Sequence, residues 1–190
     1  MATAHKASKT VNGVAVDELF STIDAVKATP SIAKFKFRIQ NQWQTGSRNC
    51  SMVTAFTGAN QELSHPQKFT LQADEPAILL GNDTAANPVE YLLHALASCL
   101  TTSMVYHASA RGIQIDQVES SFEGDLDLHG FLNLDPNIRK GYQGIRVHFK
   151  IRANVPDDQL EEIVQLGTQH SPVFDSLTKG VSVSVSTESM

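Results

Sequence analysis

The chain has 190 residues, a net charge of -5 and 41% hydrophobic residues, enough to bury the core of one ordinary domain or two small ones. An acidic balance without a Lys/Arg stripe argues against a nucleic-acid partner. Two cysteines, Cys50 and Cys99, make no disulfide framework, and no apolar run follows the N-terminal lysines. A reducing cytoplasm is therefore the expected compartment, without a signal peptide.

Residues 1–13 are small and polar and read as a tail. Val16, Leu19, Phe20, Ile23 and Val26 then recur at helical spacing up to Pro30. Tail and helix form an N-terminal piece, 1–30, ahead of a single domain at 31–190. From residue 33 the period drops to two: Phe35, Phe37, Ile39 and Trp43 predict a strand that a turn at residues 45–48 returns as a hairpin. The returning strand carries Cys50, Met52, Thr54 and Phe56 on one face, and residues 67–73 make a third, short strand. A turn-rich connector, residues 74–86, leads into residues 87–112, NPVEYLLHALASCLTTSMVYHASARG.

That stretch predicts a long helix and is the organising element of the chain. Asn87 is a good N-cap, Pro88 suits the first helical position, and Glu90 stands where a capping box needs it. Gly112 supplies the left-handed stop. Leu92, Leu93, Leu96, Leu100, Met104 and Tyr106 cover more than one face, so the helix is expected to be largely buried. His94, His107 and Arg111 interrupt its apolar character, which makes it a core helix and not a membrane span. Beyond it come a strand over 113–128, a Gly/Asn/Pro-rich loop over 129–144 and a strand over 145–153. A helix opened by Pro156, a short helical piece over 171–179 and a closing strand with Val181, Val183 and Val185 follow. Strand runs separated by helices give the α+β class, with antiparallel strand groups around one long helix.

The chemistry converges on few residues. Cys99 has Ala95, Leu96, Thr102 and Ser103 as helix neighbours, none charged, and lies too far from the helix start for the dipole to act on it. Local sequence alone makes it an inert core thiol unless a cation arrives from elsewhere, with Arg48 as first candidate and His94 or His170 behind it. The seven histidines have no metal-ligand spacing and neither CxxC nor HExxH occurs, so no metal or cofactor is expected. Asp125 and Asp127 read as a solvated strand face, and Ser171 before Pro172 as a cap.

NPVEYLLHALASC and, later, QHSPVFDSLTKGVSVSV resemble the OsmC/Ohr family of hydroperoxide-related proteins. The similarity runs from about Lys34 to the C-terminus. It implies an intertwined homodimer with two sites at the subunit interface. It also implies that a cysteine at the position of Cys99 attacks the peroxide, held by an arginine from the N-terminal strands and a glutamate at the start of the long helix. Arg48 is the candidate for that arginine here, and Glu90 is the glutamate at the start of the helix.

Two departures stand out. Ser171 occupies the place of the resolving cysteine, so the family's two-cysteine cycle cannot run as written. Val89 stands where the glutamate directly follows the proline. Glu90 comes one residue later and falls about 180° round the helix from Cys99, so it is expected to act as a cap, or as an arginine partner across the dimer, and not as a neighbour of the thiol. Cys50 is weighed as an alternative resolver. The expectation is a redox protein reducing organic hydroperoxides with Cys99 and an external thiol. The alternative is a dimer of the same fold that binds a small apolar ligand without catalysis.

Overall fold

The computed structural model describes residues 9–189. The first eight residues of the expected tail lie outside the described part. The described chain divides into two compact units: residue 9 with Ala15–Leu92, and Thr10–Val14 with residues 93–189.

The start of the chain departs from the expected tail. Thr10–Val11 (β1) and Val14–Ala15 (β2) form a small ribbon around Asn12 and Gly13, whose φ angles are 51° and 77°. Two consecutive positive φ values suit Asn-Gly, the commonest two-residue hairpin turn. Asn12 then ties into the second unit: its Nδ2 donates to Ser109 Oγ (3.1 Å) and to the Ile113 carbonyl (2.9 Å), and its Oδ1 accepts from Ile115 N (2.8 Å).

In the first unit, helix α1 (Val16–Ala28) forms as expected, with Asp17 and Glu18 at its positive end. Of its apolar stripe only Val16 is buried. Strand β3 (Ile39–Thr45) begins later than its alternation predicts. The chain just before it is diverted: Lys36 and Thr57 exchange two backbone hydrogen bonds of 2.9 Å. Strand β4 (Arg48–Val53) pairs antiparallel with β3 and with β7 (Thr70–Ala73), in the order β3-β4-β7. It stops before Thr54 and Phe56. Phe56–Gly58 (β5) instead pairs with Gln61–Leu63 (β6) across Ala59 and Asn60, at φ 49° and 60°. That hairpin escapes sequence reading because no glycine marks its left-handed turn.

Helix α2 (Pro88–Ala110) runs from the end of the first unit into the second. Its capping box is complete: Glu90 N donates to Asn87 Oδ1 and Asn87 N to Glu90 Oε2, both at 2.8 Å. At the far end Ile113 N reaches the Ala108 carbonyl (3.0 Å) and Gly112 N the Ser109 carbonyl (2.9 Å), with Gly112 at φ 73°. This double closure satisfies two terminal carbonyls. Burial is narrower than expected: Leu96, Leu100, Met104 and Ala108 form one stripe at four-residue spacing, while Tyr106 is 50% exposed.

In the second unit, β8 (Ile115–Asp125) and β9 (Gly144–Ala153) form a long antiparallel ribbon. Between them a short helix, α3 (Leu128–Phe131), replaces part of the expected loop, its first turn capped by Asp127 accepting from His129 N. Asp125 pairs with Arg146 on the opposite strand, while Asp127 lies beyond the end of β8 as the cap of α3, so only the first of the two carboxylates belongs to the strand face. Helix α4 (Asp157–His170) and α5 (Pro172–Lys179) follow. Met104, Ala108 and Ile163 form the core, covered by Ile115, Val118, Phe149, Ile151 and Val164. The predicted closing strand is absent. Val181, Val183 and Val185 are 70%, 79% and 87% exposed, and among the described residues no strand pairs with them. Their alternation suits a sheet, but a strand forms only beside a partner.

Candidate active site

Cys99 sits on α2, half-buried, next to the buried Leu100. Stepping four residues at a time leads from Cys99 to Ser103 and His107, which share a face of the helix. Against that face lies the end of α4. Gly167 makes the close approach possible: a Cβ there would stand 3.2 Å from the Leu100 carbonyl oxygen and from Met104 Cβ. An isolated glycine inside a helical pattern is the signal for such an approach, and sequence reading passed over it.

The crossing brings the junction of α4 and α5 to α2. Ser103 Oγ donates to the His170 carbonyl (3.4 Å), and the His107 and His170 rings stack with centroids 4.2 Å apart. Two histidines 63 positions apart carry no spacing signal, so only the fold joins them. Ser171, 1% exposed, caps α5 by accepting from Phe174 N (3.2 Å). Its hydroxyl thus has a structural task at the place of the expected resolving cysteine.

Burial pushes the His107 pKa down, and the neighbouring charges of His170 and Arg111 push the same way. Arg111 itself pairs with Glu162 at 3.5 Å. A histidine with a depressed pKa resists protonation when folded, while the unfolded chain takes up its proton near pH 6.5. The stability associated with neutral His107 is thus present above about pH 6.5 and falls away as pH drops towards the folded pKa. Thermal melts are expected to lose stability as pH falls below about 6.5, and His107→Gln to lose less over the same range. Equal slopes for the two proteins would contradict this assignment.

Arg48, Cys50 and Glu90 belong to the first unit. Arg48 and Cys50 are two residues apart on β4 and so point to the same face. Gln72 Nε2 donates to Cys50 Sγ at 3.3 Å. Arg48 is half-buried and makes no ion pair among the described residues. Glu90 spends its carboxylate on the capping box, the first of its two expected roles.

The family model for OsmC-like protein matches residues 81–186, more than half of the chain. The chain belongs to the OsmC-like family. Solved structures of similar fold include an OsmC-like protein from Mycoplasma pneumoniae, with 19% identity, TM-score 0.58, 77% of this chain and 89% of that chain covered. A putative osmotic stress induced and detoxification response protein from Psychrobacter arcticus has 14% identity and TM-score 0.56, covering 75% and 88%. An organic hydroperoxide resistance protein OsmC from Legionella pneumophila has 16% identity and TM-score 0.51, covering 76% and 90%. At these identities the structures establish the α+β OsmC-like fold alone. No curated protein matches the chain at a significant level. The family match spans Cys99, Glu90 and Ser171 but begins after Arg48 and Cys50. Among the described residues no helix is long and apolar enough to cross a membrane.

Proposed function

We propose that this OsmC-like protein is a homodimeric reductase of organic hydroperoxides that uses Cys99 and an external thiol. The observation that carries the reading is the placement of a half-buried, free thiol in the middle of α2, inside the family-matched segment. In the first step the Cys99 thiolate attacks the outer peroxide oxygen and the O–O bond breaks. The alkoxide takes a proton and leaves as alcohol, and Cys99 becomes a sulfenic acid. Arg48 is the cation assigned to the thiolate. Ser171 holds the end of α5 and cannot form a disulfide, so a small thiol condenses with the sulfenic acid and releases water. A second thiol then frees Cys99 and leaves as the mixed pair's disulfide.

The test follows Cys99 by mass spectrometry after addition of an organic hydroperoxide. One added oxygen on Cys99, removed by excess thiol, supports the reading, and an unmodified Cys99 overturns it.

Large exposed apolar side chains support the dimer: Phe37, Trp43, Ile78, Leu80 and Val183 are each at least 69% exposed in the single chain. Light scattering at micromolar concentration is expected to give twice the chain mass, and a monomer would remove the interface on which the reading depends.

A second reading is a dimer of this fold that holds a small apolar ligand without turnover. Two observations favour it: Ser171 and Glu90 both serve helix caps. Co-purifying ligand in native mass spectrometry, with Cys99 inert to hydroperoxide, would select this reading.

A further inference from the structure

Asp74 is a buried carboxylate, 1% exposed, that the proposed chemistry does not use. It accepts hydrogen bonds on both oxygens, and the two oxygens face different segments. Oδ1 accepts from Ser47 Oγ (2.6 Å) and Glu75 N (2.9 Å). Oδ2 accepts from Thr84 Oγ1 (2.7 Å), Thr84 N (3.2 Å) and Asn82 N (3.3 Å). So dense a set of donors, the Ser47 hydroxyl foremost, holds its pKa far below the usual carboxylate range. The group is charged wherever thiol chemistry runs.

The segment on Oδ2 is a tight loop. Asp83 N returns to the Glu75 carbonyl (3.0 Å), and a Cβ on Gly81 would meet that same oxygen at 1.7 Å. Leu80 and Asp83 are held at φ 64° and 55°. This loop is a fixed anchor. The segment on Oδ1 is the β3–β4 turn, which needs one: the register slips between Trp43 and Thr45, and Gly46 has open space around it at φ 55°.

The register adds a second point. Asn49 pairs with Ala73, so continuing the antiparallel ladder by one residue sets Asp74 opposite Arg48. Opposed charges at facing positions would ordinarily pair. Here the carboxylate is occupied by five other donors, and Arg48 forms no ion pair with it.

We propose that Asp74 is a positioning residue for Arg48: through the Ser47 hydroxyl it fixes the turn from which Arg48 projects, and its occupied oxygens keep it from capturing the guanidinium. Arg48 is thereby left to serve an anion elsewhere. This rests on the reading of Arg48 as the cation of the Cys99 thiolate.

The test separates the two arms of the carboxylate. Ser47→Ala removes the hydroxyl on Oδ1, and Thr84→Val removes the one on Oδ2. Each deletes one short hydrogen bond, so a purely structural role predicts similar melting losses and no difference in chemistry. The readout is the rate of Cys99 alkylation by iodoacetamide against pH, in the full-length dimer, with Cys50→Ser as background. Arg48→Ala is expected to raise the thiol midpoint by about one unit or more. Ser47→Ala is expected to reproduce part of that rise, with alkylation below the midpoint roughly threefold slower, while Ser47→Thr restores it and Thr84→Val leaves it unmoved. Equal effects of Ser47→Ala and Thr84→Val, or none from Ser47→Ala where Arg48→Ala has one, would overturn the proposal. No effect from Arg48→Ala would instead remove Arg48 from the thiol site, and the proposal with it.

Discussion

Cys99→Ser is expected to bring thiol-dependent consumption of organic hydroperoxide down to the uncatalysed background. A hydroxyl at this position has neither the accessible anion nor the nucleophilicity of a thiolate, so the loss should be complete and not a shift in KM. The fold should tolerate the change. Cys99 is half-buried and makes no hydrogen bond or ion pair among the described residues, so Cys99→Ser should melt within a few degrees of the parent. Consumption assays with a small dithiol, run beside thermal melts, separate the two effects. Residual turnover near the parent level in a folded Cys99→Ser protein would transfer the chemistry to Cys50 or abolish the proposed mechanism. Cys50→Ser, by contrast, should retain most of the activity if an external thiol resolves the sulfenic acid.

Met104→Ala should be the most damaging change in the core. Met104 is 1% exposed and packs with Ala108 and Ile163, and the close approach of Gly167 leaves α4 in direct contact with it. Truncating a buried methionine costs the transfer of its side chain from water and leaves a cavity, together about 2–5 kcal/mol. For a chain of this size that corresponds to a fall in Tm of roughly 4–20 °C. Leu92→Ala on the same helix serves as control: Leu92 is 36% exposed, and its loss should be a fraction of that. Similar melting losses for the two would mean that the α2–α4 crossing is not where the second unit is held together.

How much of this the sequence reveals depends on the range of the interaction. Helix α2 is legible at both ends because its caps are local: Asn87, Glu90 and Gly112 act within a few residues of the helix they bound. Asn12–Gly13 is equally local, yet the small, polar residues around it read as a tail. The valines at 181, 183 and 185 illustrate the opposite error, since alternation states which face a strand would bury but not whether a partner strand exists. The hairpin at Ala59 and Asn60 defies sequence reading because two non-glycine residues take the left-handed region.

The site divides along the same line. Cys99 and Ser171 are found through motif resemblance, whereas the stacking of His107 on His170 and the grip of Asp74 on Ser47 join residues far apart in the chain. No periodicity encodes such pairs. Gly167 lies between these cases: visible as an oddity in the α4 pattern, and explained only by the backbone that it lets through.

The hairpin that carries Arg48 also holds the chain's single tryptophan. Trp43 is 69% exposed, and its indole N–H donates to the Gly46 carbonyl at 2.9 Å, inside the same turn. The molecule therefore contains its own optical probe in the turn from which Arg48 projects. Without competing indoles, any blue shift or change in quenching on subunit assembly, ligand entry or oxidation reports on this one hairpin, with no label attached.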